Sequence, residues 1–468
     1  MALLLLLSSC ATYNQRITAY HQALKKENYS KANEMLDGIR LLQKNRNRLL
    51  YVMEKGKTLH LLKMYDSSNH YLNEADDLIE LARTSAKDAA VTYLVNPMLQ
   101  KYRPEDFEKY LIHYYKALNY IFLGNTESAL VEVRKISLVT QAQQDKAGFR
   151  TNRFEADAFS IILQGLLYEK ANDINNAFIA YRNAADLFIK NNKRYYGVVI
   201  PDQLKQDLLR TAYLMGFTDE LQRYEKIFKQ TYTPQPKPAG ELVVFWESGI
   251  GPVKDETMLS FNLVRSGNGY YFSDNGGLYN IPYDNYPSNN SDLSSLSMFA
   301  LALPKYNSFI PQAYGATVQA PSGKFDLQKV ADINVLATQT LQERFSRELG
   351  TALSRMVLKK LSEKALEPKP STYDPNKTAE QRKKEKDQRT KQEILALGLK
   401  IFNRATEKAD TRNWQSLPAL IYYARIPLVE GENQLVFQSL PGNSFNQPVT
   451  IHVTANGSLQ FFSVQQFH

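Results

Sequence analysis

The chain has 468 residues, 43% of them hydrophobic, and carries 57 Lys and Arg against 48 Asp and Glu, a net charge of +9. That length and apolar content suit two or more packed domains, and one cysteine excludes an internal disulfide. The positive excess is not a nucleic-acid signature, because 11 basic and 6 acidic residues between Lys359 and Lys391 supply +5 of it, and a charge run of this kind reads first as a solvated face.

The N-terminus reads as a processing and anchoring segment over residues 1–10. Leu7-Ser8-Ser9-Cys10 follows an apolar run and resembles a bacterial lipobox, in which a peptidase cuts before a cysteine whose thiol accepts diacylglycerol. Cys10 is the lipid-attachment residue on this reading, and each buried acyl methylene contributes about 0.8 kcal/mol to anchoring. The run Ala2–Leu7 is short and has no Lys or Arg before it, which points to a start upstream. Ala11 stands where an inner-membrane retention signal would place Asp. The expected address is therefore the outer membrane, facing the periplasm, and that address also argues against DNA as a partner. No later segment approaches the ~18 apolar residues of a spanning helix.

Residues 12–230 read as a helical repeat. One spacing (+3, +4, +5, +4, +3) recurs at Ala117-Tyr120-Gly124-Ala129-Val133-Ile136, at Gly165-Tyr168-Asn172-Ala177-Tyr181-Ala184 and at Leu209-Ala212-Gly216-Leu221-Glu225-Phe228. Weaker copies are Tyr20-Ala23-Glu27-Ala32-Leu36-Ile39 and Leu59-Leu62-Asp66-Tyr71-Ala75-Leu78. The steps keep apolar residues on one helix face, and the third position takes turn residues. The pattern matches tetratricopeptide repeats, with insertions between units. Such a solenoid presents a concave surface that holds another polypeptide. The doublets Tyr114-Tyr115 and Tyr195-Tyr196 each require one ring to leave the core or line that groove.

Residues 231–239, with alternating prolines, read as a semi-rigid linker. From 240 to 468 a smaller mixed domain is expected, an antiparallel β-sheet interrupted by a helical insertion at about 335–410, so that the fold class is α+β. Glu241–Glu247 reads as a buried strand that runs into a Gly-Pro turn ending at Lys254. Ser260–Val264, Thr317–Ala320 and Lys324–Leu327 are further strands, with Asn275-Gly276-Gly277 the strongest turn between them. Val335–Leu366 and Thr378–Asp410 read as long amphipathic helices separated by Pro368, Pro370 and Pro375. Packing or partner binding is favoured for them over membrane contact. Leu420–Ile426 and Asn433–Gln438 flank a hairpin-like turn at Pro427–Gly431. Val449–Thr454 and Leu459–Val464 flank an Asn-Gly hairpin signal at Ala455–Ser458.

Two motifs stand out in this half: Trp246-Glu247-Ser-Gly249-Ile-Gly-Pro252-Val-Lys254 and Ala409-Asp410-Thr-Arg412-Asn-Trp414-Gln-Ser-Leu417-Pro418. With the lipobox and the helical repeats they make the whole chain resemble an uncharacterised family of bacterial lipoproteins. That resemblance implies a membrane-anchored envelope protein and no particular activity.

No phosphate loop, nucleophile elbow or helical pair of histidine ligands occurs, and no cofactor or metal is expected. The candidate binding residues are Trp246, Glu247, Lys254, Asp410, Arg412 and Trp414. Glu247 and Glu256 flank a glycine-rich turn, and a carboxylate pair can hydrolyse glycans, so that Glu247 or Asp410 would serve a glycan hydrolase; the plainer reading pairs Glu247 with Lys254. Asp410 and Arg412 suit a bidentate ion pair, with Trp414 packed between the domains, or a site that stacks on a sugar or grips a carboxylate. The expectation is a non-enzymatic, lipid-anchored periplasmic scaffold that binds envelope proteins through its repeats. A regulator of cell-wall or envelope assembly enzymes and, behind it, a glycan-acting hydrolase are the alternatives.

Overall fold

The structure, a computed structural model, describes residues 12–84, 98, 100–147, 154, 156–266, 269–274, 280–283, 298–366, 378–405, 408–440 and 448–467. Cys10, Asn275-Gly276-Gly277 and Pro368, Pro370 and Pro375 lie outside the described residues.

Among the described residues, five helical hairpins make up the first half: α1 (Tyr13–Lys25) with α2 (Tyr29–Asp37), α3 (Arg48–Leu61) with α4 (Tyr65–Thr84), α5 (Asp106–Phe122) with α6 (Thr126–Ala147), α7 (Ala158–Lys170) with α8 (Ile174–Lys190), and α9 (Asp202–Leu214) with α10 (Thr218–Phe228). Each hairpin turns in the same way. One residue takes a left-handed conformation, at Glu27, Lys63, Gly124, Asn172 and Gly216 with φ of 53°, 58°, 74°, 62° and 69°. The next N–H then reaches back five residues, from Asn28 to Ala23, Met64 to Leu59, Asn125 to Tyr120, Asp173 to Tyr168 and Phe217 to Ala212. This bond satisfies a carbonyl that the ending helix would leave bare. Asn28, Asn125 and Asp173 then cap the second helix by accepting from the N–H three residues on.

The turns correct one repeat. Sequence spacing put Asp66 at the second turn, yet the left-handed residue is Lys63. Shifted by three, that copy reads Gly56-Leu59-Lys63-Ser68-Leu72-Ala75, and Ser68, Leu72 and Ala75 are all fully buried. The shift also aligns Gly56 with Gly165. A Cβ on Gly56 would sit 2.6 Å from the Leu72 side chain, and one on Gly165 would sit 2.3 Å from the Tyr181 ring. Both glycines are where the two helices of a hairpin approach most closely.

Between α8 and α9 the chain forms a short antiparallel ribbon of β1 (Arg194–Tyr195) and β2 (Val198–Val199), and among the described residues the second half contains three four-stranded sheets. In the first, β10 (Gln328–Asp332), β11 (Leu420–Leu428), β3 (Gly240–Ser248) and β14 (Leu459–Gln466) lie side by side. The second orders β13 (Val449–Thr454), β12 (Glu432–Ser439), β8 (Ala316–Ala320) and β9 (Gly323–Asp326). The third orders β6 (Asn280–Tyr283), β5 (Gly269–Asp274), β4 (Val253–Ser266) and β7 (Met298–Asn307). The helix α11 (Ile333–Leu366) lays Leu349, Leu353 and Val357 on Phe261, Phe272, Leu301 and Leu303 of the third sheet. The helix α12 (Ala379–Ala405) follows it.

Two expected hairpins are corners instead. β11 pairs with β3 and β10 while β12 pairs with β8 and β13. β14 runs parallel to β3, so that sheet is mixed and not purely antiparallel. The Pro427–Gly431 and Ala455–Ser458 turns therefore carry the chain from one sheet to the other. Gly457 has φ +76°, and its N–H donates to Ala239 O, next to the start of β3.

Alternation along β3 and β11 decides the layering, since successive side chains point to opposite faces. Leu242, Val244, Trp246, Tyr422, Ala424 and Ile426 face the second sheet and form a sandwich core with Val318, Leu435 and Phe437. Val243, Phe245, Ile421 and Tyr423 face the other way and join one continuous core with the helical half. Helices, sheet and sheet thus stack as three layers. Residues 231–239 are without helix or strand, and the halves on either side of them share that core.

Candidate functional site

The nominated residues gather, with one exception, where the helical half meets the first sheet and the Ala409–Pro418 segment. The exception is Trp246. It follows the even positions of β3 into the sandwich core, 5.5 Å from the Tyr422 ring, and is on the opposite side of the sheet from Glu247.

Glu247 is fully buried. Lys57 Nζ of α3 donates to its Oε2 at 2.7 Å, Tyr115 OH donates to the same oxygen at 3.0 Å, and Tyr114 OH donates to Oε1 at 2.9 Å. Lys57 also sits 3.9 Å over the Tyr115 ring, a cation–π contact in a dry site. Burial drives the Lys57 pKa down, and the Glu247 charge opposes it. The expected Glu247–Lys254 pair does not form, because Glu247 points at the helices. Lys254 Nζ instead meets Glu105 Oε1 at 2.7 Å, beside Arg344 at 2.6 Å from Oε2. Burial pushes the Glu105 carboxyl up, but Lys254 and Arg344 outweigh it and hold the pKa at about 2.

The second motif lies along the inner side of α1, α3 and α5 like a bound peptide. Arg412 grips Asp410 through Nε and Nη2 at 2.8 and 2.6 Å, the expected bidentate pair. Its Nη1 donates to Asn47 Oδ1 and to the Gln100 carbonyl. Trp414 is 1% exposed and packs 5.9 Å from the Tyr115 ring. Backbone N–H groups of the segment are received by carboxylates: Trp414 N by Glu108 at 2.8 Å, Gln415 N by Glu54 at 2.8 Å, and Ser416 N by Glu54 at 3.2 Å. Tyr13 and Tyr20 donate to Glu54 as well. Burial raises the pKa of Glu54 to about 6, and burial with the Glu105 charge raises Glu108 to about 7.

A third station closes the far end. Arg425 of β11 donates to Glu169 at 2.9 and 3.0 Å, to Asp207 at 3.0 Å and to Glu241 at 2.8 Å. Burial works against charge on Glu169, yet Arg425 and Arg210 hold its pKa at about 2.

Sequence reasoning did not single out Glu54, Lys57, Glu105, Glu108, Glu169, Asp207, Arg344 or Arg425. No local signal marks them: Glu54 to His60 reads Glu-Lys-Gly-Lys-Thr-Leu-His, an ordinary polar stretch in sequence, although α3 is buried throughout from Leu49 to His60. Tyr114 and Tyr115 are both fully buried, since the groove that one ring was expected to line is filled by the chain itself. Glu256 is half-buried and accepts the Ala409 N–H at 3.3 Å.

Among the described residues, Asp76, His113 and Glu132 bring possible metal-ligand atoms together. Lys116 and Lys135 already pair with these carboxylates at 2.8–3.4 Å, so ammonium groups occupy the cation positions. An open cavity of about 690 Å³ lies elsewhere, lined in part by Tyr314, Lys329, Asp332, Asn334, Gln339 and Tyr422. It contains none of the nominated residues.

No protein-family profile matches the chain, and no curated protein matches it. Partly similar solved structures include RapI and MamA. The apo form of RapI matches at 12% identity and TM-score 0.33, over 46% of this chain and 54% of that one. The MamA protein matches at 13% identity and TM-score 0.27, over 47% of this chain and 96% of that one. The match thus spans about half the length of RapI. Likeness at this level is partial.

Proposed function

We propose that this chain is a non-enzymatic, lipid-anchored scaffold of the bacterial envelope, whose tetratricopeptide-like half holds a protein partner on its outer side. The observation that carries the reading is the closure of Glu247. A glycan hydrolase needs two carboxylates flanking a bond that substrate can bring between them. Glu247 has no exposed surface, and three donors occupy its oxygens. Asp410 is held by Arg412. Glu247 ties the sheet to the helices, and Asp410 holds the Arg412 that reaches Asn47 and Gln100, which favours binding over catalysis.

The partner's place follows from the same packing. The inner helices already hold residues 409–418, so the second helices of the hairpins are the accessible ones. Val131 and Leu138, seven residues apart on α6, are 47% and 65% exposed. Lys135 between them bridges to Asp76 of α4 at 2.8 Å, so adjacent hairpins present one continuous face there. Lipidation at Cys10 would hold the folded body close to the bilayer, because Tyr13 is already in the core. Confinement at a membrane raises the effective concentration of neighbouring factors. A regulator of envelope assembly enzymes is this same scaffold with its partner specified.

The test is affinity capture from detergent-solubilised envelopes, with the full chain beside Cys10→Ala and a Val131→Glu/Leu138→Glu double variant. The expected result is a defined partner set that the double variant loses at an unchanged melting temperature, and membrane association that Cys10→Ala turns from salt-resistant to salt-extractable. An identical partner set from the double variant would overturn the outer-face reading. Membrane association of Cys10→Ala that still resists high salt would overturn the anchor.

A further inference from the structure

The arm formed by α11 and α12 carries a feature that the scaffold reading does not use. From Glu380 to Leu395 every residue of α12 is exposed except the half-buried Arg389, whereas Ala396 is 5% exposed. Ile394, Leu395 and Leu397 are 65%, 63% and 59% exposed. With 3.6 residues per turn, eleven residues make three turns and return to the same side. That spacing relates Lys383 to Ile394, Lys384 to Leu395 and Lys386 to Leu397, and Lys391 lies one turn before Ile394 and Leu395. Four exposed lysines and three exposed aliphatic side chains therefore share one side of α12, opposite Ala396. Glu380 and Asp387 are on this side too, so four ammonium groups stand against two carboxylates.

We propose that this side of α12 docks on an anionic lipid bilayer, as a membrane contact separate from the N-terminal anchor. Aliphatic side chains beside a lysine-rich stretch are the chemistry of an interfacial helix. The apolar groups enter the headgroup–acyl boundary while cations meet the negative surface. The kind of cation distinguishes a bilayer from a protein. Lysine is depleted in protein–protein interfaces and arginine enriched. Here the cations on this side are all lysines, and Arg382 and Arg389 fall on other sides of the helix. Lysine stems bend to follow a diffuse anionic surface and lack the planar fork that recognises one carboxylate.

The test is sedimentation of the full-length Cys10→Ala protein with vesicles of phosphatidylcholine alone or mixed with phosphatidylglycerol, at low and at physiological salt. The acyl anchor is thereby removed, so the result is independent of the lipobox. The expected result is binding to the anionic vesicles only, weakened by salt as screening requires. Reversing Lys383, Lys384, Lys386 and Lys391 to Glu should lower the partition at least about tenfold, and Ile394→Asp/Leu397→Asp should do so separately. Both sets alter exposed residues and should leave the melting temperature unchanged. Equal binding to neutral vesicles, no binding, or binding indifferent to both variants would overturn the proposal. Loss of self-association by the Ile394→Asp/Leu397→Asp variant in the absence of vesicles would assign the face to a second copy instead.

Discussion

A buried lysine needs its carboxylate more than the carboxylate's hydrogen bonds suggest. Lys57 and Glu247 are both fully buried, and removing one charge strands the other in a medium that solvates it poorly. Glu247→Gln is expected to destabilise the fold by about 3–5 kcal/mol. Adding Lys57→Met should recover part of that loss, a coupling measured by a double-mutant cycle in urea. A double variant no more stable than Glu247→Gln would argue against the stranded charge as the cause. His60 makes a pH-dependent contribution nearby. Its Nδ1 lies 2.6 Å from Asn119 Oδ1, and Asn119 Nδ2 donates to Ser68 and Asn69. The Asn119 oxygen therefore faces His60, whose Nδ1–H donates to it. Burial and the Lys57 charge lower the His60 pKa from 6.5 to about 4. The unfolded chain thus takes up a proton that the folded one refuses, and stability is present above pH 6.5 and lost as the pH falls towards 4. The loss reaches at most about 3 kcal/mol. The gap in unfolding free energy between the native protein and His60→Gln should narrow over that window, and a constant gap would remove His60 as the cause.

Each hairpin is built on one left-handed turn residue, but the sequence meets that demand unevenly. Gly124 and Gly216 accept positive φ without strain, while Glu27 and Lys63 adopt it with a Cβ in place. Lys63 is exposed, so Lys63→Gly relieves the backbone and sacrifices little packing. The expected gain is about 0.5–1 kcal/mol in chemical denaturation; a loss would show that the turn tolerates lysine at no cost. The close-approach glycines behave oppositely. Gly165→Ala would push a methyl into the fully buried Tyr181 ring, and overpacking of this kind costs about 1–3 kcal/mol. A melting temperature equal to that of the native protein would mean that the α7–α8 pair opens without penalty. The helical spacing was legible because apolar side chains must recur at 3.6 residues. The three-residue error at the second repeat arose because Lys63 carries no turn signature, whereas Asp66 does.

For the whole molecule, the expectation of two bodies joined at a linker meets one hydrophobic core that includes Tyr13, Tyr114 and Phe159 from the helices and Phe245, Trp414 and Tyr423 from the second half. Three stations of buried charge bind the same boundary. Calorimetry should therefore show one unfolding transition, with the van't Hoff and calorimetric enthalpies in agreement. A separate early transition belonging to residues 12–230 would refute the shared core. Deleting that half would expose the face of β3 and β11 that carries Phe245 and Tyr423, and the remainder is expected to aggregate.

Periodicity is local, and so the sequence alone determined the helical hairpins, the positions of most strands, the two long helices and the Asp410–Arg412 pair. These depend on residues within a few turns or a few positions of one another. Which sheet each strand joins, the corners at Gly431 and Gly457, and the destination of Glu247 depend on partners up to hundreds of residues away. An Asn-Gly turn joins two strands whether they pair with each other or separate into facing sheets. A glutamate at the end of a strand is equally compatible with the nearby Lys254 and the distant Lys57. The fold chooses between them, because the alternation of β3 turns Glu247 towards the helices, where Lys57, Tyr114 and Tyr115 compensate the cost of burying it.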